Sequence, residues 1–223
     1  MKAMLLAAGR GERLRPLTER VPKALVEVAG KPLIAWHLER LAASGCREAV
    51  INVSHLGEAI VARLDDGSRF GMRIVYSREE QPLETAGGIA RAAHLLGAAP
   101  FLLVNADIYC EVDFRPLLGC ALGDALAHLV LVPNPPHNPK GDFALDGARV
   151  RNDGTPRYTY AGVAVVSPQL VKGVRPGEKA PLAPLLRAAA DVDRLSGEHF
   201  TGLWQDVGTL ERLSELEARL KRT

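Results

Sequence analysis

The chain has 223 residues, 47% of them apolar and 24% charged, a globular composition that excludes wholesale disorder. Twenty-eight Lys and Arg against 26 Asp and Glu leave a formal net charge of +2, too even for nucleic acid or an anionic membrane surface to be the main partner. No apolar run reaches the length of a transmembrane helix, and three cysteines without C-x-x-C spacing point to a reduced, cytoplasmic setting with no zinc site.

Residues 2–8 read as a buried first strand rather than a signal peptide, because their short apolar run leads straight into Arg10-Gly11-Glu12-Arg13. A polar loop rich in Gly and Arg follows to about Arg20. Residues 32–44 form a predicted helix, with Pro32 at its first position, Leu33, Trp36, His37 and Leu41 on one face, and Gly45 as its stop. Residues 49–53 are a second apolar strand, and Ser54 is a predicted N-cap for a helix to about Asp65. Residues 72–76 are a third strand, 85–96 a helix, 101–105 a fourth strand and 127–132 a fifth.

The second half is less regular. Residues 134–142 are rich in Pro and Gly and read as a loop, and Asp146-Gly147 marks a hairpin turn. Residues 158–166 are a strand, 181–190 a helix, and 201–206 lead into a last strand. Thr209 caps a final helix whose Leu210, Leu213, Leu216 and Leu220 form an apolar stripe that packs on the core. Apolar strands alternating with helices imply βαβ units and a mostly parallel, Rossmann-like mixed sheet flanked by helices. Ligands of such sheets sit beyond the carboxyl ends of the strands, which places the Gly9 loop beside Asp107.

The segment Leu6-Ala7-Ala8-Gly9-Arg10-Gly11-Glu12-Arg13-Leu14-Arg15-Pro16-Leu17-Thr18 carries the most chemistry. Its glycines let backbone N–H groups approach a phosphate, and its arginines supply forked donors, although a bare G-x-G also suits a solvated basic loop. A dinucleotide fingerprint fails at Leu14, where a third glycine is required, and the G-K-[ST] of a Walker loop is absent. Asp107, just past an apolar strand, is a carboxylate well placed for a ligand, whereas Asp206, before the last helix, on its own reads as a turn or N-cap. Glu84 or Thr85 could cap the helix that follows them, with Gly87 and Gly88 permitting close packing.

Joined to Val21-Pro22-Lys23-Ala24-Leu25-Val26 and to Gly202-Leu203-Trp204-Gln205-Asp206-Val207-Gly208-Thr209, this segment resembles the signature of the sugar-1-phosphate nucleotidyltransferases. The resemblance implies a glycosyltransferase-A-like fold in one domain. Residues 1–107 would bind nucleotide, 108–206 would be a sugar-binding part and 207–223 a C-terminal helix. It implies that Ala8, Gly9, Gly11, Glu12 and Arg13 cradle a nucleoside triphosphate, with Arg13 on the leaving pyrophosphate and Lys23 bridging the α-phosphate and the sugar phosphate. Glu79, Gly87 and Gly88 would read the base, Glu79 standing where relatives often have Gln. Asn105 would contact the sugar, and Asp107 and Asp206 would hold Mg²⁺, Asp206 also facing substrate. The family's Glu-Lys-Pro segment is missing; Arg151-Asn152-Asp153-Gly154 stands roughly in its place, so Gly141 and Asp153 are nominated as sugar contacts.

The implied reaction joins NTP and sugar 1-phosphate into NDP-sugar and pyrophosphate. A phosphate dianion is already a nucleophile, so no general base or covalent intermediate is needed, in keeping with the lack of a Ser/His/Asp or Cys/His constellation. The motifs Gly11-Glu12-Arg13-Leu14-Arg15-Pro16-Leu17-Thr18, Pro82-Leu83-Glu84-Thr85-Ala86-Gly87-Gly88 and Ser196-Gly197-Glu198-His199-Phe200 resemble the uridylyltransferase branch of cell-wall recycling, which implies UTP. Guanylyl and thymidylyl transfer, and a non-catalytic sugar-nucleotide-binding subunit, stay open as alternatives. No membrane and no obligate protein partner is implied.

Overall fold

The computed structural model describes residues 1–221, so the last two residues of the expected C-terminal segment lie outside it. In chain order the strands and helices are β1 (Ala3–Leu6), β2 (Glu27–Val28), β3 (Lys31–Pro32), α1 (Leu33–Ala43), β4 (Glu48–Val53), α2 (Gly57–Leu64), β5 (Arg73–Arg78) and α3 (Glu84–Leu96). Next come β6 (Phe101–Asn105), β7 (Ile108–Cys110), α4 (Phe114–Leu118), β8 (Ala127–Val132), β9 (Phe143–Asp146), β10 (Arg149–Arg151) and β11 (Arg157–Val166). The chain closes with α5 (Ala183–Asp191), β12 (Leu195–His199), β13 (Trp204–Asp206) and α6 (Leu210–Leu220).

Nine strands form one mixed sheet in the order β5-β4-β1-β6-β11-β8-β12-β10-β9. β1, β4, β5 and β6 are mutually parallel, as their helical crossovers require. β11 then runs antiparallel to β6 and β8, and only β12 on β8 restores a parallel pair in the second half. Two small ribbons stand apart, β13 on β7 and β2 on β3.

The period-two alternation of strands splits the core into two layers. Along β1, Ala3 and Leu5 face Ile34, Leu38 and Leu41 of α1 and Ile60 and Leu64 of α2, whereas Met4 faces Ile89, Ala92 and Leu96 of α3. Each such large apolar side chain, fully withdrawn from water, contributes about 1.5–3 kcal/mol. A third cluster, around Leu14, Val28, Tyr109 and Val207, holds Leu216 of α6.

Several local expectations give way to tertiary structure. Pro32 is the N-cap of α1 and belongs to a short ribbon, rather than opening the helix. Ser54 does not cap α2; the helix starts at Gly57 after a left-handed Leu56, and the Ser54 carbonyl accepts the Gly57 N–H. Neither Glu84 nor Thr85 caps α3. Thr209 does cap α6, its hydroxyl accepting the Arg212 N–H. Of the α6 stripe, Leu213, Leu216 and Leu220 pack on the third cluster, but Leu210 is 45% exposed. β7, β12 and α4 were not foreseen: each is short, and each forms against a partner that no local pattern reveals. Among the described residues no helix is long and apolar enough to cross a membrane. All three cysteines are free, two of them buried.

Candidate active site

The carboxyl ends of β1, β4, β5 and β6 open into a cleft of about 840 Å³. Its floor is the loop after β1, where Ala8, Gly9, Arg10, Gly11, Glu12 and Arg13 all line the cavity. Leu14 and Thr18 are buried and anchor this loop, the Thr18 hydroxyl donating to the Gly11 carbonyl at 2.7 Å. Gly11 must be glycine. Its φ is +65°, and a Cβ there would sit 2.9 Å from the Thr18 methyl and 3.1 Å from Lys23 Cβ. The tight fold brings Lys23, fixed in a turn of 3₁₀-helix, against the same cleft.

Lys23 Nζ donates to Asp107 Oδ2 at 2.6 Å, with the lysine side chain only 12% exposed. Asn105 and Asp107 enter the cleft from the end of β6. Behind Asp107 the ring of His37 is buried, its Nε2 donating to the Ile108 carbonyl at 2.7 Å while Nδ1 has no partner. Burial pushes the His37 pKa down to about 4.

Asp206 arrives from the other half of the chain. β13 pairs antiparallel with β7, setting Asp206 opposite Ile108, and the Val207 N–H donates to the Asp107 carbonyl at 2.9 Å. The two backbones therefore meet, but the two carboxylates have different company. Asp206 accepts hydrogen bonds from Arg212 to both its oxygens and stands 3.2 Å from His137. It lines a second cavity of about 670 Å³, with Pro133, His137, Trp204 and Arg212. Arg13 lines both cavities, and Gly208 lines the first. Asp107 and Asp206 are each hard oxygen donors, Asp107 lining the first cavity and Asp206 the second, and no group of three or more His, Cys, Asp or Glu side chains suited to a metal occurs among the described residues. That set fits Mg²⁺, which takes one or two carboxylates and completes its shell from phosphates and water, and does not fit a soft metal.

The opposite wall carries Glu79, which is 5% exposed. Asn52 Nδ2 donates to its Oε1 at 2.8 Å, and the Leu83 N–H to its Oε2 at 3.0 Å. Asn52 Oδ1 in turn accepts the Ala7 N–H at 2.8 Å. Burial raises the Glu79 pKa, and the two donated hydrogen bonds oppose that rise.

Two of the nominated base-reading residues stand behind this wall rather than on it. The Gly87 N–H, with that of Ala86, donates to the Ala180 carbonyl. A Cβ on Gly87 would lie 2.2 Å from the Glu178 carbonyl oxygen. A Cβ on Gly88 would lie 2.9 Å from both Asn52 Nδ2 and Glu79 Oε1. Their smallness lets the loop of residues 177–180 and the Asn52–Glu79 pair approach α3. Gly141 and Asp153 are placed together, but in a third cavity with Arg157 and Arg187 that shares no lining residue with the cleft. Arg157 there donates to the carbonyls of Lys140, Asn152 and Asp142, which ties loops to one another.

Polar cleft residues missed by sequence reasoning include Asn52, Gln81, Glu84, Thr85 and Lys179. Asn52 had a signal: a lone polar residue near the carboxyl end of an apolar strand. Lys179 had none, since the docking of Ala180 on the start of α3 is a long-range event.

Comparison with known proteins follows the same lines. A family profile described as "Nucleotidyl transferase" matches residues 2–143. The N-acetylmuramate alpha-1-phosphate uridylyltransferase of Neisseria meningitidis is 50% identical over 225 residues, covering 98% of this chain and 97% of that protein. Its counterpart in Caulobacter vibrioides is 36% identical over 98% and 96% of the two chains. The mannose-1-phosphate guanylyltransferase catalytic subunit beta of Drosophila melanogaster is 28% identical over 93% of this chain but only 59% of its own. Among solved structures, a putative glucose-1-phosphate thymidylyltransferase from Bacillus anthracis superposes with a TM-score of 0.88 at 19% identity, covering 100% and 96% of the chains.

Proposed function

The chain belongs to the nucleotidyl transferase family, and on that premise we propose that it is a sugar-1-phosphate uridylyltransferase. Its substrates are UTP and N-acetylmuramate 1-phosphate, and its products UDP-N-acetylmuramate and pyrophosphate. A phosphate oxygen of the sugar 1-phosphate attacks the α-phosphorus of UTP. The new P–O bond forms in line as the bond to the β-phosphate oxygen breaks, and pyrophosphate departs with the electron pair. No proton has to be removed from the nucleophile.

The chain's contribution is positioning and charge neutralisation. The peptide N–H groups of residues 8–13 and the Arg13 guanidinium hold the β- and γ-phosphates. Lys23 lies between the α-phosphate and the incoming phosphate. It leaves Asp107 to do so, exchanging one anionic partner for another. Asn105 orients the sugar. Asp107 and Asp206 would hold Mg²⁺, which would lower the charge on the reacting phosphates. Glu79 faces the base.

The observation that carries the reaction class is the convergence of Lys23, Asp107 and the glycine–arginine loop on one cleft. The substrate pair rests on the two uridylyltransferase relatives that match over nearly their whole lengths. Pyrophosphate release from UTP, GTP and dTTP, each offered N-acetylmuramate, mannose and glucose 1-phosphates with Mg²⁺, tests both. The fastest release is expected with UTP and N-acetylmuramate 1-phosphate. Release from none of the pairs would leave a binding subunit instead, and faster release with GTP and mannose 1-phosphate would move the chain to the guanylyltransferases.

A further inference from the structure

Each carboxylate assigned to the metal already holds a cation of its own chain. This inference rests on the reading above, that Asp107 and Asp206 are the protein's ligands for Mg²⁺.

Lys23 Nζ lies 2.6 Å from Asp107 Oδ2, and the lysine side chain is only 12% exposed. Arg212 donates to both oxygens of Asp206, at 2.6 Å to Oδ2, and its side chain is 13% exposed. His137 Nε2 stands 3.2 Å from Asp206 Oδ1. A glycine makes room for each cation. A Cβ on Gly11 would lie 3.1 Å from Lys23 Cβ. A Cβ on Gly208 would lie 2.4 Å from Arg212 Nη2 and 3.0 Å from Asp206 Oδ2. Gly11 and Gly208 stand in the two segments that carry the chemistry, so both segments are shaped around the cation as well as the carboxylate.

A divalent ion arriving alone must displace a cation that is largely shut off from water. The displaced ammonium or guanidinium keeps its desolvation cost and loses its counter-charge. A triphosphate changes that balance. It offers Lys23 another anionic partner, which frees Asp107 Oδ2 for the ion. The two uptakes then favour each other, and the coupling is reciprocal.

We propose that Lys23 and Arg212 close the metal site of the free protein, so that it takes up a divalent ion only together with a triphosphate. Lys23 is the gate on the cleft side. Arg212 is a positioning residue that keeps Asp206 in the second cavity.

Mn²⁺ is the probe, because its free ion is counted directly by electron paramagnetic resonance. The free wild-type protein should take up none below about 1 mM, the weak limit of carboxylate sites for a divalent ion. Lys23→Met keeps the stem and removes the charge, and without nucleotide it should bind Mn²⁺ at least about tenfold more tightly than the wild type. Arg212→Gln should raise the Mn²⁺ affinity by a smaller factor, whereas loss of a merely structural contact would not raise it. Calorimetric titration with UTP reads the coupling: Mn²⁺ should tighten UTP binding at least about tenfold more in the wild type than in Lys23→Met. Formation of the Mn²⁺–UTP complex in solution is common to both and cancels.

Submillimolar Mn²⁺ binding by the free wild type overturns the proposal, and this measurement needs no variant to fold. An unchanged Mn²⁺ affinity in a folded Lys23→Met protein also overturns it. A gain that survives the further change Asp107→Asn would put the ion elsewhere and overturn the metal assignment itself. Metal uptake as expected, without pyrophosphate release from any sugar phosphate, would instead sink the reaction and leave the gate standing.

Discussion

The two halves of the cleft are built by different means. On the β1–β6 side, several contributing residues sit at the carboxyl ends of parallel strands or just beyond them: Gly9 after β1, Asn52 in β4, Glu79 after β5, Asn105 at the end of β6 and Asp107 after it. These groups ride on strands whose neighbours on both sides are hydrogen-bonded, apart from the edge strand β5. On the other side, Lys179 and Gly208 belong to returning segments. One is held by the Ala180 carbonyl, which accepts two N–H groups from the start of α3, and the other by the pairing of β13 with β7. The first half supplies a stiff platform, and the second is fastened to it by a few hydrogen bonds. The polar side chains proposed to bind phosphate lie on the platform, and the second proposed metal-binding carboxylate comes from the fastened part.

The sharpest way to break that contrast is to remove one carboxylate from each side. Asp107→Ala and Asp206→Ala should each lower kcat on the order of 10³-fold, about 4 kcal/mol in the barrier, with the thermal melt nearly unmoved. A near-normal rate for either in a pyrophosphate assay would show that its half of the cleft is dispensable for the chemistry.

The platform also has a pH signature. His37 is neutral in the folded state down to about pH 4, whereas it gains a proton near pH 6.5 once unfolded. The unfolded state therefore binds more protons between those values. Stability is fully present above pH 6.5 and is lost as the pH falls toward 4, by up to about 3 kcal/mol. His37→Gln keeps a donor for the Ile108 carbonyl and should flatten the dependence of unfolding free energy on pH over that window.

The fastening comes next. Gly87→Ala drives a methyl group to 2.2 Å from the Glu178 carbonyl oxygen, so the 177–180 segment must move. Denaturant titration should show a loss of about 1–3 kcal/mol, and protease sensitivity should rise in that segment before it rises in the parallel strands. The smallest effect belongs to α6. Leu210→Ser should change stability by less than about 0.5 kcal/mol, whereas Leu216→Ala, fully buried, should cost about 2–5 kcal/mol. Equal costs would mean that α6 packs on a different face.

The platform was legible in the sequence because its rules are local. Apolar runs mark the parallel strands, and Asn105 at the end of one and Gly9, Lys23 and Asp107 in the loops beyond carry the polar groups. Position alone did not reveal what each residue touches. Gly87 and Gly88 read as base contacts, and their lack of a side chain also lets Glu178 and the Asn52–Glu79 pair approach α3. Gly141 and Asp153 read as sugar contacts on a weak substitute for a missing motif, and they lie in another cavity. Lys179 reaches the cleft only through where a distant segment lands, which no short window of sequence encodes. Helix starts failed for a related reason: the Ser54 side chain was read as a cap, while Gly57 already had the Ser54 carbonyl.

The contact between the Ala7 N–H and Asn52 has an evolutionary consequence. The hydrogen-bond chain toward Glu79 starts from a main-chain atom, so its direction does not depend on which side chain occupies position 7. Nineteen of the twenty coded residues would transmit the same polarity. Proline alone, lacking the N–H, would remove that donor. Packing confines residue 7 to a small side chain, because it is buried in the core, while the polarity of its N–H is set by the main chain alone.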